Sequence, residues 1–246
     1  YGKSQNVNPN LGWEEKKEWN IGADYSFFNG RLYGKFDYYR RKVDNLLFSV
    51  KVPQPPYTQG SQMQNIGSME SKGWEFEVGG AIIRSKDFIC STNINLSHNT
   101  GKILTLEGDN SYHNGNGFVA PGSPGDAARI EAGSTIGSFY MWKFAGFDDE
   151  GSFLLYNKDG EVIPAAQKTE NDKQFIGKYT PKLIVGWSHT LTYKNFDLGI
   201  NLRSWIDFDV YNTINMYYGI QGQGNLNVLK DAYGKFNHIK GEKQIC

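Results

Sequence analysis

The sequence lacks most of what catalysis, metal binding or nucleic-acid recognition would need. Only two cysteines occur, Cys90 and Cys246, and they show no metal or redox spacing. Neither sign of charge is in excess: 26 Lys and Arg balance 26 Asp and Glu, and no basic cluster carries interleaved aromatics. Nucleic acid is therefore not an expected partner. Mean hydropathy is −0.56 and no apolar run approaches the ~18 residues of a spanning helix. That excludes a helical membrane protein but not a β-barrel, whose lipid-facing residues are diluted one in two by interior-facing ones. The four histidines, His98, His113, His189 and His238, are scattered and lack metal spacing. No serine-centred elbow or triad can be assembled. Asp148-Asp149-Glu150 is a run of carboxylates, but adjacent acids in a tight turn are ordinarily solvated turn formers. With Asp159-Gly160 they offer oxygen ligands, yet the spacing matches no EF-hand loop. No catalytic residue, metal or cofactor is expected.

What is abundant points elsewhere. Aromatics reach 15% and glycine counts 29, while hydrophobic residues stay at 39%, a balance that suits many strands and turns with one wet face. Residues 19–38 alternate strictly. Trp19, Ile21, Ala23, Tyr25 and Phe27 alternate with Asn20, Gly22, Asp24 and Ser26, and Leu32, Gly34, Phe36 and Tyr38 alternate with Tyr33, Lys35 and Asp37. Period-2 alternation puts one set on each face of a strand. Between them Asn29-Gly30 suits a type I′ turn, which needs φ > 0 at both central residues, and this sets Phe27 opposite Leu32 and Ile21 opposite Tyr38.

Two more hairpins follow. Trp74, Phe76, Val78, Gly80 and Ile82 lead through Arg84-Ser85-Lys86 to Phe88, Cys90, Thr92, Ile94 and Leu96. Leu183, Val185, Trp187, Leu191 and Tyr193 lead through Lys194-Asn195 to Phe196, Leu198, Ile200 and Leu202. Cys90 and His189 fall on these apolar stripes and read as packing residues. Long polar loops, 53–64 and 99–135, separate the hairpins. Short turns on one side and long loops on the other are the arrangement of outer-membrane barrels. Phe27, Phe28, Phe88, Tyr193 and Phe196 cluster near the short turns, as an aromatic girdle would. Strand parity then asks for further strands at 136–147 and 152–156, giving about eight in all. A soluble β-sandwich also alternates, but its strands run ~5–6 residues where these arms sustain roughly ten.

Particular residues carry a family resemblance. Asn8-Pro9-Asn10-Leu11-Gly12-Trp13-Glu14, Asn20-Ile21-Gly22-Ala23-Asp24, Asn29-Gly30-Arg31-Leu32, Asp37-Tyr38-Tyr39, Asn65-Ile66-Gly67 and Lys72-Gly73-Trp74-Glu75 stand in order along the chain. Ile136-Gly137-Ser138-Phe139-Tyr140, Ile176-Gly177 to Pro181, and Tyr193-Lys194-Asn195-Phe196-Asp197-Leu198 complete the series. Together they resemble the late barrel of SusC-like (SusC/RagA) TonB-dependent transporters. The resemblance implies an all-β fold: an antiparallel, up-and-down transmembrane β-barrel of about 22 strands closed by an N-terminal plug. Residues 1–246 would be part of that barrel, without plug or final strands. Tyr1 and the His238–Cys246 terminus read as cuts through a longer polypeptide.

The resemblance further implies import of oligosaccharides or peptides across the outer membrane of a Gram-negative, Bacteroidota-like bacterium. Its partners would be a SusD-like surface lipoprotein, TonB acting through the plug, the transported solute and outer-membrane lipid. On the polar face Tyr33, Asp37, Tyr39 and Arg41 are candidate substrate-binding residues, because aromatic planes beside hydrogen-bonding groups hold sugars. Trp205, Tyr217 and Tyr218, near the last long loop, are candidates of the same kind. The competing classes are a soluble β-sandwich carbohydrate-binding module and a passive porin.

Overall fold

The computed structural model describes residues 5–106, 112–114, 127–219 and 227–230. Among these the strands are β1 (Glu15–Phe27), β2 (Leu32–Lys51), β3 (Ser61–Arg84), β4 (Phe88–Leu106), β5 (Tyr112–Asn114), β6 (Arg129–Glu131), β7 (Ser138–Met141), β8 (Lys143–Phe147), β9 (Phe153–Tyr156), β10 (Val162–Pro164), β11 (Gln174–Lys178), β12 (Leu183–Tyr193) and β13 (Phe196–Ile206). Two single-turn 3₁₀ helices, Ala165–Gln167 and Glu170–Asp172, and one short α-helix, α1 (Thr213–Tyr218), complete the described elements. The chain divides into two compact units, one of residues 1–113, 130–136 and 180–208, the other of residues 114–129, 137–179 and 209–246.

The first unit is built on a single antiparallel sheet of six strands in the order β1-β2-β3-β4-β12-β13. Its first hairpin has the expected register: Phe27 faces Leu32, Tyr25 faces Gly34 and Ile21 faces Tyr38. The turn is closed by the Arg31 amide donating to the Phe28 carbonyl at 3.3 Å. Asn29 and Gly30 have φ of 54° and 80°, the left-handed pair that a type I′ turn demands. Phe28 shares this conformation (φ 53°), so regular pairing stops one residue earlier, at Phe27. The Lys194-Asn195 turn holds as expected between Tyr193 and Phe196. The middle turn is shifted by one residue, to Ser85-Lys86-Asp87, with the Ser85 amide donating to the Phe88 carbonyl at 2.8 Å.

Between the bulges the register rows are in phase, so the two faces separate cleanly. Tyr25, Phe36, Trp74, Val78, Ile94, Trp187, Ile200 and Leu202 share the apolar face, and Asn20, Asp37, Glu75, Asn95, Ser188 and Asn201 share the other. The apolar face is not covered within this unit: Ile21 is 67% exposed and Phe196 77%. Cys90 lies on that face, buried between neighbours, 3.6 Å from the His189 ring nitrogen Nε2.

The strands are longer than the sequence suggests. β3 begins at Ser61, inside the segment expected to be loop, and β4 continues to Leu106. Twenty residues in β2 span about 66 Å, roughly twice what a bilayer core requires. Beyond Val43 the β2–β3 ladder is bulged at Asn45 (φ 59°), and here the buried aliphatic side chains Leu46, Val50, Ile66 and Ile103 gather. This end is clasped by residues 5–14. The Asn65 side chain accepts from the Gly12 amide at 2.8 Å and donates to the Gly12 and Asn45 carbonyls at 3.1 and 2.8 Å. Asn6 donates to the Gln59 and Ser61 carbonyls, and Glu14 accepts from the Leu47 amide at 2.9 Å. The Asn8–Glu14 and Asn65–Gly67 motifs are thus two halves of one fastening.

The expected strands at 136–147 and 152–156 belong to the second unit, not to the six-stranded sheet. There β8, β9 and β10 form one small sheet and β7 pairs with β11. Contrary to the parity expectation, β4 runs toward the long-loop end and β12 returns directly beside it, so no strand is needed between them. Among the described residues the large sheet therefore has six strands, where the sequence suggested about eight.

Candidate functional site

On the polar face, β1 to β4 surround an open depression of about 450 Å³ lined by Glu18, Asn20, Asp37, Tyr39, Arg41, Ser71, Glu75 and Asn99. Register builds it. Arg41 faces Glu18 and Ser71, Tyr39 faces Asn20 and Gly73, and Asp37 faces Gly22 and Glu75. The glycines matter at two of these positions. A Cβ on Gly73 would sit 2.6 Å from the Tyr39 hydroxyl, and one on Gly22 would collide with Asp37 Oδ1. The Tyr39 ring and the Asp37 carboxylate therefore each occupy the space over a glycine of the neighbouring strand.

Electrostatically the depression holds three carboxylates and one guanidinium. Glu18 is neutralised by a bidentate pair with Arg41 (Nε–Oε2 3.0 Å, Nη2–Oε1 3.1 Å) and by Lys16 Nζ at 2.6 Å. Asp37 and Glu75 are direct cross-strand neighbours, and among the described residues neither has an ion-pair partner. Ser71 donates to Asn99 Oδ1 at 3.1 Å. The chemistry on offer is hydrogen bonding and charge around one aromatic ring, which is recognition rather than bond breaking.

Of the residues expected from sequence, Asp37, Tyr39 and Arg41 line this depression. Tyr33 is on the same face but nearer the tight turn, its ring over Gly79 with Cζ 2.7 Å from where a Cβ would be. Trp205 also faces this side, on β13, in register with Ile184 and four strands from β2. It is half exposed and meets Phe208 edge-on at 5.6 Å. Tyr217 and Tyr218 lie on α1 in the second unit, where the Tyr218 carbonyl accepts from the Leu229 amide at 2.8 Å. Glu18, Asn20, Ser71, Glu75 and Asn99 were not anticipated. The hairpin register would have paired Glu18 with Arg41 and Asn20 with Tyr39. The β3 and β4 members needed a cross-loop register that sequence does not supply.

The acidic runs are turn formers, as expected. Asp148 Oδ1 accepts from the Glu150 and Ser152 amides at 3.0 and 2.7 Å. Asn157 Oδ1 accepts from the Asp159 and Glu161 amides at 3.0 and 2.8 Å. Among the described residues no group of three or more His, Cys, Asp or Glu side chains is placed to hold a metal. His238, Cys246 and the His113 side chain lie outside the described residues. In the second unit Trp142 donates to the Thr169 carbonyl at 2.8 Å and has Lys173 Nζ 4.3 Å above its ring. Asp172 accepts from both the Thr169 hydroxyl and amide, at 2.7 and 2.8 Å, and these bonds hold its carboxyl below the usual carboxylate range.

Comparison with known proteins decides the family. The model of the TonB dependent receptor-like β-barrel matches residues 1–237. The chain belongs to that family. It is 32% identical to TonB-dependent receptor P3 of Formosa agariphila over 94% of its own length and 24% of the relative's. It is 33% identical to TonB-dependent receptor SusC of Bacteroides thetaiotaomicron over 83% of the chain and 20% of that protein. Among solved structures it superposes on the RagAB peptide transporter with a TM-score of 0.69 at 27% identity, over 82% of this chain and 22% of that one. The chain thus spans roughly a quarter or less of the relatives it matches. The family is one of outer-membrane receptor barrels of Gram-negative bacteria and not of enzymes, and the open six-stranded sheet is a stretch of such a wall.

Proposed function

We propose that this chain forms part of the wall of an outer-membrane importer that takes up oligosaccharides or peptides, driven by TonB through a plug and served by a SusD-like surface lipoprotein. The observation that carries the reading is the two-faced sheet, apolar and uncovered on one side and polar on the other, in a chain of the TonB-dependent receptor family. The similar RagAB structure is that of a peptide transporter, which supports a peptide as one substrate class. The apolar face of the six-stranded sheet stays exposed, Ile21 at 67% and Phe196 at 77%, which speaks against a β-sandwich module, whose sheets bury their inner faces against each other. Asp37, Tyr39 and Arg41 would line the passage and touch the solute, with Tyr33 and Trp205 on the same wall. Tyr217 and Tyr218 would act at the loops.

The experiment is solute uptake by cells producing the full-length protein, with Tyr39→Ala and Asp37→Asn variants at equal surface abundance. A several-fold loss of uptake for one solute class supports the reading. Uptake unchanged by both variants removes these residues from the path. Uptake that persists without TonB favours a passive porin.

A further inference from the structure

Along the apolar face, away from the tight turns, the rows change character in a fixed order. The row Ile21–Tyr38–Trp74–His98 is aromatic, with Trp19 stacked on Tyr38 at 5.5 Å and Trp74 on His98 at 6.2 Å. The next row sets Arg40 directly opposite Lys72. The row after it sets Lys17 opposite Lys42, with Lys102 at its far end opposite Glu70. Like charges directly opposite across a ladder are unfavourable, yet two such pairs fall in adjacent rows just beyond the aromatic one. Acidic partners offset part of this charge: Arg40 meets Glu70 at 2.8 Å, Lys42 meets Asp44 at 2.8 Å and Lys17 meets Glu15 at 3.9 Å. Lys72 and Lys102 are exposed and have no acidic partner among the described residues. Five cations therefore stand against three acids on this patch.

We propose that this cationic patch is a docking site for anionic, phosphate-bearing lipid headgroups of the outer leaflet. The inference rests on the outer-membrane reading above, which sets the long-loop end outward. The occupant follows from position and charge. The patch continues the apolar face, so its neighbours are lipid molecules, and it begins immediately beyond the aromatic row, at headgroup depth. Surplus lysine beside a guanidinium is the donor set that anionic phosphate recruits. A headgroup phosphate between Arg40 and Lys72 would relieve the repulsion that the ladder imposes on them.

The test is native mass spectrometry of the full-length protein in detergent, titrated with lipid A or with phosphatidylcholine. Lipid A is expected to bind preferentially, and Arg40→Gln with Lys72→Gln to weaken it by about 25-fold, about fivefold per charge removed. The double variant Lys35→Gln with Arg203→Gln, which removes two cations from the polar face, is expected to bind as the parent does. Equal binding of both lipids, or equal loss in both double variants, overturns the proposal. Heat-modifiable gel mobility is read on every sample: a parent that lacks it refutes the membrane reading itself. A parent that has it without lipid A preference refutes only the patch.

Discussion

An arginine placed at Ile200 and one placed at Asn201 should have very different consequences, although the positions are adjacent. Ile200 is on the apolar face and Asn201 on the polar face of β13. Ile200 lies four residues from Phe196, which marks the tight-turn end, so it is about 13 Å along the strand. At a strand tilt of ~40° that is about 10 Å of depth, close to the middle of an apolar band ~25 Å tall. An arginine there costs about 2–4 kcal/mol in a bilayer, or a 30- to 900-fold shift in the unfolding equilibrium. If Ile200, 38% exposed, faced water instead, the same change would stay within about 0.5 kcal/mol. Asn201→Arg should cost little in either setting. The assay is reversible guanidinium unfolding of the full-length protein in lipid vesicles, followed by gel mobility. Equal midpoints for the two variants, or a larger loss for Asn201→Arg, would refute the assignment of faces.

Three further outcomes follow from the geometry. Asn65→Ala removes three hydrogen bonds that fasten residues 12 and 45, and should cost about 1–2 kcal/mol, read as earlier proteolysis between residues 5 and 14. Gly73→Ala should destabilise by about 1–3 kcal/mol, because its Cβ would meet the His98 carbonyl and the Tyr39 ring, whereas Gly199→Ala has open space and should be neutral or slightly stabilising in thermal unfolding. Asp172, held below its ordinary 3.8, contributes order to the 165–173 turn at neutral pH that is lost as pH falls through the folded value. Hydrogen-exchange protection of the Thr169 amide, corrected for intrinsic rate, should drop in that acid window and be low at every pH in Asp172→Asn.

Much of the wall was legible because period-2 alternation and an Asn-Gly turn fix register without long-range information. Phe27 against Leu32 and Tyr193 against Phe196 follow from the residues between them. The second aromatic row was not legible. Tyr38, Trp74 and His98 come from three strands: the β2–β3 register across the long loop aligns Tyr38 with Trp74, and the β3–β4 register, shifted by a bulge between Ala81 and Ile83, aligns Trp74 with His98. The same gap hid Glu75, Ser71 and Asn99 from the candidate site. Residues 138–156 misled for a different reason. Strand parity set 136–147 and 152–156 in the wall, but their aromatic residues pack in the second unit, where Phe144, Phe147 and Phe153 contact one another at 5.0–6.0 Å. Neither a count of chain reversals nor periodicity says which sheet a strand joins.

The most direct test is a spin-label accessibility scan of residues 196–206 in the full-length protein in lipid vesicles, with Cys90 and Cys246 replaced by serine. Oxygen, which partitions into lipid, should reach labels at 198, 200 and 202. A water-soluble nickel complex should reach labels at 197, 199, 201 and 203, so that the two profiles oscillate out of phase with a period of two. Profiles in phase, or water access on both faces, would contradict a membrane-spanning wall.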